Sequence, residues 1–234
     1  MAKINFKKGL TDIVLYIIIF IVVQIFLTYA GAGIWAAVKG EGYQATLLAM
    51  DTGNNAILKA LTTVFSNVIT LIIFLKAKWT PLTRNYLQSK PWISLLWVAL
   101  FTLGAIIPLE FVYEQIGVEM DADTERVFAS LMKEPWGYVA IGILAPLAEE
   151  IVFRGAILRT LLDMVSKKNH WVAIFISAAA FGLIHGNKAQ FINALLMGLL
   201  LGWMYYRTKS LVPGILMHWV NNTMAYVLNN LMPQ

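Results

Sequence analysis

The sequence predicts an all-α membrane protein, a polytopic bundle of about seven transmembrane helices with a polar site inside it. Of the 234 residues, 59% are hydrophobic and 13% are charged, whereas an average soluble domain has about 25% charged residues. The mean hydropathy of +0.68 agrees with this composition. These values exclude a soluble globular domain and a disordered chain. The lack of cysteine excludes disulfides, thiolate metal sites and thiol nucleophiles.

Seven runs with little or no charge are the candidate transmembrane helices, because a helix needs about 20 mostly apolar residues to cross a bilayer. The runs are 13–38, 60–75 with its extension 56–58, 91–109, 135–162, 169–187, 189–206 and 210–234. The fourth and fifth require polar groups to be tolerated inside the membrane. The first is too long for the apolar core of a signal peptide, so we expect a retained anchor. We expect one transmembrane domain over 1–234.

Positive charge is distributed unequally between the loops of this arrangement. The side that holds the N-terminus carries Lys3, Lys7, Lys8, Lys76, Lys78, Arg84, Lys90, Arg159, Lys167, Lys168, Arg207 and Lys209. The other side carries only Lys39, Lys59, Arg126, Lys133 and Lys188. Because cytoplasmic loops are enriched in Lys and Arg, we expect a multi-pass protein of the cell membrane with a cytoplasmic N-terminus.

Two further expectations follow from the charge pattern. Basic residues that are scattered beside apolar runs are typical of topology signals, so a nucleic-acid partner is not expected. The partners we expect are the lipid bilayer and a peptide or lipidated protein. The third loop, 110–134, is acidic, and its segment 124–132 is predicted to form a short amphipathic helix at the membrane surface.

The fourth run contains three charges, Glu149, Glu150 and Arg154. A charge near the bilayer centre costs about 2.5–3.5 kcal/mol on insertion scales, so charged residues within a membrane helix indicate a structural or functional role. Glu150 and Arg154 are four residues apart and can pair on one helix face. Glu149 is rotated by about 100° from Glu150 and stays available for chemistry. Pro146 predicts a kink that frees a backbone carbonyl. A purely structural charge cluster is the alternative.

Polar residues also lie in the fifth and seventh runs. His185 ends the fifth run, between Gly182 and Gly186, whose spacing lets two helices approach closely. His218 and Asn222 are four residues apart and share one face of the last helix. Taken singly, His185 is explained by packing, and the other pair is explained equally well by hydrogen bonds between helices.

The combination of these groups predicts hydrolysis. A carboxylate and a histidine can polarise one water as a general base. A second histidine and an asparagine can donate hydrogen bonds to a developing oxyanion. Neither step requires a serine or cysteine nucleophile.

Three blocks carry a resemblance to a known family. EEIVFR covers 149–154, FGLIH covers 181–185 and HWVNN covers 218–222. In this order and in a multi-helix membrane setting, they resemble the patterns EExxxR, FxxxH and HxxxN of the CPBP family. That family comprises type II CAAX prenyl endopeptidases and the Abi membrane proteases of bacteriocin processing and self-immunity. The resemblance covers 138–228, which we expect to be the catalytic core.

The resemblance implies an α-helical intramembrane endopeptidase of the glutamate type that acts on a membrane-associated or lipidated peptide or protein. Glu149 and His185 would activate the water, and His218 and Asn222 would form the oxyanion site. It also implies supporting roles for Glu150 and Arg154, which would hold the geometry of the site.

Alternatives stay open for the cofactor and for the function. No cofactor is expected, but Glu149, His185 and His218 could supply three zinc ligands with one open position, as in a membrane metalloprotease. Two observations favour catalysis without metal. The sequence has no HExxH pair, and Asn222 would have no obvious role in a zinc site. A non-proteolytic immunity or scaffold protein is the alternative outside enzymes. A small transporter is disfavoured because repeated half-helices are lacking.

Overall fold

The computed structural model describes residues 5–82, 92–117 and 121–231. Regular secondary structure within these ranges is helical throughout, which confirms the all-α prediction. The helices are α1 (Phe6–Lys39), α2 (Tyr43–Asp51), α3 (Ala56–Lys76), α4 (Ile93–Ile116), α5 (Ala122–Lys133), the composite helix α6 (135–164), α7 (His170–Leu183), α8 (Lys188–Thr208) and α9 (Val212–Leu231).

Four of these helices, α1, α3, α4 and α8, are long and apolar enough to cross a membrane, as judged by length and composition among the described residues. This agrees with the predicted α-helical membrane bundle. Each of the seven predicted runs contains a helix, but α7 has only 14 residues. At 1.5 Å per residue it is roughly 21 Å long, short of a hydrocarbon core of about 30 Å. The count of seven crossings therefore stays a prediction.

The third predicted loop differs from the structure at both ends. Helix α4 continues to Ile116, beyond the predicted end at 109. Helix α5 confirms the predicted amphipathic helix, but its residues Leu131 and Met132 are buried, because its apolar face packs against α3 and α9. The segment therefore packs against the bundle, and its predicted position at the membrane surface stays a prediction. The short helix α2, which packs on α1, was not predicted from the sequence.

Helix α6 lies at the centre of the bundle and departs twice from α-helical geometry. Tyr138–Leu144 and Glu150–Leu158 are π-helical and flank the α-helical segment Ala145–Glu149. Every residue of Glu150–Leu158 is buried, as expected of a helix that other helices surround on all sides. Phe153, Ile157 and Leu158 form the main hydrophobic core with residues of α1, α3 and α7. Short π-helical segments are frequent at functional sites.

Pro146 explains the first change of geometry. The Ala145 N–H donates to Ala140 O, five residues back. In the same register, Ile141 O would need the N–H of residue 146, and proline has none. The carbonyl of Ile141 is therefore left for another donor, which agrees with the predicted effect of Pro146.

Candidate active site within the helix bundle

A cavity of about 610 Å³ lies between helices α2, α3, α5, α6, α7, α8 and α9. Its size is typical of ligand pockets, which range over about 300–1,000 Å³. The four predicted catalytic residues, Glu149, His185, His218 and Asn222, all line it. Most of the remaining wall is apolar, so the structure gathers polar groups from three segments of the sequence around one space inside an apolar bundle.

His218 lies between the two adjacent glutamates. Its Nε2 is 3.5 Å from Glu149 Oε2, and its Nδ1 is 3.4 Å from Glu150 Oε1. Both distances are at the outer limit for a hydrogen bond. A neutral imidazole has one N–H and can donate to one carboxylate, whereas a protonated ring donates to both. The predicted partner of Glu149 was His185, but these two side chains make no direct contact and instead face the same cavity.

Glu150 and Arg154 form the predicted pair. Arg154 Nη1 donates to Glu150 Oε1 over 2.8 Å, and both side chains are only 1% exposed. Arg154 Nη2 donates to Gly198 O over 3.3 Å. Because removing two charges from water costs several kcal/mol for each ion, a pair this deep is stable only when further contacts satisfy it.

Two glycines that the sequence analysis missed make room for this pair. A Cβ atom at Gly214 would lie 2.9 Å from Glu150 Oε2, and one at Gly198 would lie 3.3 Å from Arg154 Nη2. A Cβ at Gly198 would also lie 2.9 Å from the Cβ of Ala178 on α7. The spacing of Gly198 and Gly202 is the small-residue pattern of close helix pairs, and this signal could have identified Gly198.

Helix α7 ends at Leu183, and His185 follows in the turn. His185 Nδ1 is 2.8 Å from Phe181 O. A carbonyl can only accept, so Nδ1 carries the hydrogen, and in the neutral ring Nε2 keeps a lone pair. Gly186 has a φ of +76° and no atom within 4 Å of an added Cβ. Its role is the left-handed turn, and the predicted close helix approach is made by Gly182 alone, against Phe191.

Phe181 connects the three motif blocks. Its ring centroid is 5.0 Å from that of His185 and 5.9 Å from that of His218, both edge to face. The Arg154 guanidinium carbon lies 4.6 Å from the same centroid. Phe181 is 2% exposed, so a rigid ring sets the spacing between the ion pair and both histidines. The sequence analysis quoted this residue in its motif without assigning it a role.

Asn222 supplies the donor that Ile141 lacks. Its Nδ2 donates to Ile141 O over 3.0 Å, and this bond connects α9 to the point where Pro146 changes the winding of α6. The predicted oxyanion role requires an N–H, and the second hydrogen of the same amide nitrogen is available for it.

The predicted alternative of a zinc site can be tested against the donor arrangement. Among the described residues, no group of three or more His, Asp and Glu side chains is placed to hold a metal ion. The proposed ligands Glu149, His185 and His218 share a cavity without converging on one point, so their arrangement does not fit a zinc ion.

Comparison with known proteins adds two findings. Residues 131–224 match the family model of the type II CAAX prenyl endopeptidase Rce1-like proteins, against a predicted core of 138–228. A Bacillus subtilis (strain 168) protein named "Putative membrane peptidase YdiL" is 26% identical over 126 residues, which is 51% of this chain and 50% of that protein. The chain therefore spans about half the length of this relative. No solved structure matches the chain. The predicted resemblance to type II CAAX prenyl endopeptidases is confirmed over residues 131–224, the segment that carries all seven motif residues.

Proposed function

We propose that the chain is an intramembrane endopeptidase of the glutamate type, which hydrolyses a peptide bond in a membrane-associated or lipidated peptide or protein. The observation that carries this proposal is the separation of two neighbouring carboxylates. Glu150 is neutralised by Arg154, whereas Glu149 faces the cavity with 16% of its side chain exposed. A carboxylate in contact with a cavity and beside an imidazole is the arrangement that general-base hydrolysis needs.

In the proposed reaction, Glu149 is the general base. A water in the cavity donates one hydrogen bond to a Glu149 oxygen and one to the lone pair on His185 Nε2. As its oxygen attacks the scissile carbonyl carbon, one proton passes to Glu149. Cleavage of the C–N bond then transfers this proton to the leaving amine nitrogen, which restores the carboxylate.

His218 and Asn222 would stabilise the tetrahedral intermediate. A His218 ring that donates from both nitrogens satisfies its contacts with Glu150 and Glu149. When Glu149 takes up the proton from water, its attraction for the Nε2–H falls, and that N–H becomes available to the new oxyanion. The second N–H of Asn222 is the other donor. Removing one oxyanion donor in well-studied hydrolases costs about 10²–10³ in kcat.

The apolar wall of the cavity supports an apolar segment as substrate, because residues such as Val127, Phe128 and Met197 line it. The match to prenyl endopeptidases is consistent with a lipidated substrate. The residues that line the cavity do not distinguish a bacteriocin from another membrane peptide. Bacteriocin processing and self-immunity therefore remain expectations from the family resemblance.

Mass spectrometry of membrane peptides tests the proposal. Cells that make the wild-type chain are compared with cells that make Glu149→Gln at equal abundance. We expect peptides and matching truncated proteins that appear only with the wild type. Glu125→Gln is the matched control, since it makes the same change on the exposed face of α5. Identical peptide sets for the wild type and Glu149→Gln would reject proteolysis and favour a scaffold or immunity protein.

A further inference from the structure

The cavity opens at one end of the bundle. Four of its lining residues, Asp51, Lys59, Asp123 and Gln190, lie near the ends of α2, α3, α5 and α8. Lys59 Nζ is 3.4 Å from Asp51 Oδ1, which holds two of these helix ends together. The side chains of Asp51 and Asp123 are 69% and 82% exposed. We call this the cavity end, and it is where the polar interior meets the surroundings.

The opposite end is basic and lies away from the cavity lining. Arg159 Nη2 donates to Trp79 O over 2.9 Å, and the His170 ring stacks on Tyr206 with 4.2 Å between the centroids. Lys209 Nζ lies 4.1 Å from the Tyr206 centroid. These contacts hold the loops after α3, α6 and α8 together. We call this part of the bundle the basic end. None of these five described residues lines the cavity.

Charge distinguishes the two ends. The described cations at the basic end are Lys7, Lys8, Lys76, Lys78, Arg159, Lys167, Lys168, Arg207 and Lys209, which are accompanied by the acids Asp12 and Asp163. Those at the cavity end are Lys39, Lys59, Arg126, Lys133 and Lys188, which are accompanied by the acids Glu41, Asp51, Asp121, Asp123, Glu125 and Glu134. Lys3, Arg84 and Lys90, which the sequence analysis counted with the basic end, lie outside the described residues. By the positive-inside rule, the basic end faces the cytoplasm.

We infer that the cavity opens to the extracytoplasmic face of the membrane, and that the substrate is a peptide segment presented there, in an exported, lipid-anchored or membrane-spanning protein. The orientation follows from which helix ends line the cavity and from the charge of the two ends. The statement about substrate rests on the proposed function, whereas the orientation does not.

The interior of the cavity supplies a second position for a test. Ala145 lies one turn before Glu149 on α6, and Ala225 lies three residues after Asn222 on α9; both line the cavity. Both positions lie along the same cavity wall that leads to the cavity end. Labelling at these alanines therefore reports whether the cavity is continuous with one face.

The lack of native cysteine makes site-specific labelling direct. Asp123→Cys marks the opening, Ala145→Cys marks the interior, and Lys168→Cys marks the exposed surface of the basic end. Spheroplasts that make each variant are treated with a charged, membrane-impermeant methanethiosulfonate before and after permeabilisation. We expect Asp123→Cys and Ala145→Cys to react equally in both conditions, and Lys168→Cys to react only after permeabilisation.

Reaction of Lys168→Cys in intact spheroplasts, or of Ala145→Cys only after permeabilisation, would overturn the inference. Ala225→Cys repeats the interior test on another helix, in case Ala145→Cys does not accumulate. The same labelling in a Glu149→Gln background separates the two proposals, because accessibility does not depend on catalysis. An extracytoplasmic pattern without any proteolysis would reject the proposed function and leave the orientation standing.

Discussion

Glu149 and Glu150 are neighbours in sequence and occupy opposite environments. Glu150 is buried, forms an ion pair with Arg154 and lies close to Gly214. Glu149 lines the cavity, and its polar neighbour is His218 Nε2. The two carboxylates differ only by the rotation of about 100° between successive helical residues. Where environments separate two titratable groups in this way, their chemical roles are separated as well.

Replacing Glu149 gives the largest expected effect, and it falls on activity alone. Glu149→Gln keeps the size of the side chain but removes the base, and general-base catalysis contributes about 10²–10⁴ in rate. We expect the rate of cleavage of the peptides found by mass spectrometry to fall by about this factor, with normal abundance in the membrane. The matched variant Glu150→Gln sharpens the comparison, since it should lower abundance by breaking the buried pair. Equal losses of activity and equal abundance for the two variants would contradict the separation of roles.

Breaking the ion pair from its other side is expected to affect folding. Arg154→Ala leaves Glu150 unpaired in the core, and breaking a buried pair costs about 3–5 kcal/mol. We expect a lower unfolding temperature in detergent and lower abundance, together with reduced activity. Replacing both partners with apolar residues, as in Glu150→Leu with Arg154→Met, should recover part of the stability but not the activity. Normal abundance and activity of Arg154→Ala would refute the supporting role.

A smaller effect is expected where the helices approach the pair. Gly198→Ala places a Cβ 2.9 Å from Ala178 and 3.3 Å from Arg154 Nη2, and overpacking of this kind costs about 1–3 kcal/mol. Gly104→Ala on α4 is the control, because a Cβ there meets no atom within 4 Å. Thermal unfolding of the two variants measures the difference. Equal unfolding temperatures would show that the close contact at Gly198 does not support the pair.

The smallest effect is expected from chelation. If Glu149 and His185 activate the water without a metal, a chelator should leave the cleavage rate unchanged. The measurement is the rate before and after treatment, combined with metal analysis of the purified protein. Stoichiometric zinc, with activity lost on its removal and restored on its addition, would make the cavity a metal site and Glu149 a ligand.

Local features of the sequence determined the helical class and the composition of the site. Uncharged runs located the helices because a bilayer requires about 20 apolar residues. Spacing alone paired Glu150 with Arg154, and the structure confirms this pair. These features depend only on residues within one or two helical turns, so they can be predicted from a single sequence.

Only the tertiary structure decided which groups meet across helices. The Asn222 amide donates to Ile141 O, the Phe181 ring lies between Arg154 and the two histidines, and apolar residues of α5 line the cavity. Each of these contacts joins residues far apart in the chain, and it depends on the rotation and depth of two packed helices. Hydrophobic periodicity constrains neither quantity when most faces are apolar, so the sequence did not predict that His218 lies between Glu149 and Glu150. The oxyanion role of His218 stays a proposal.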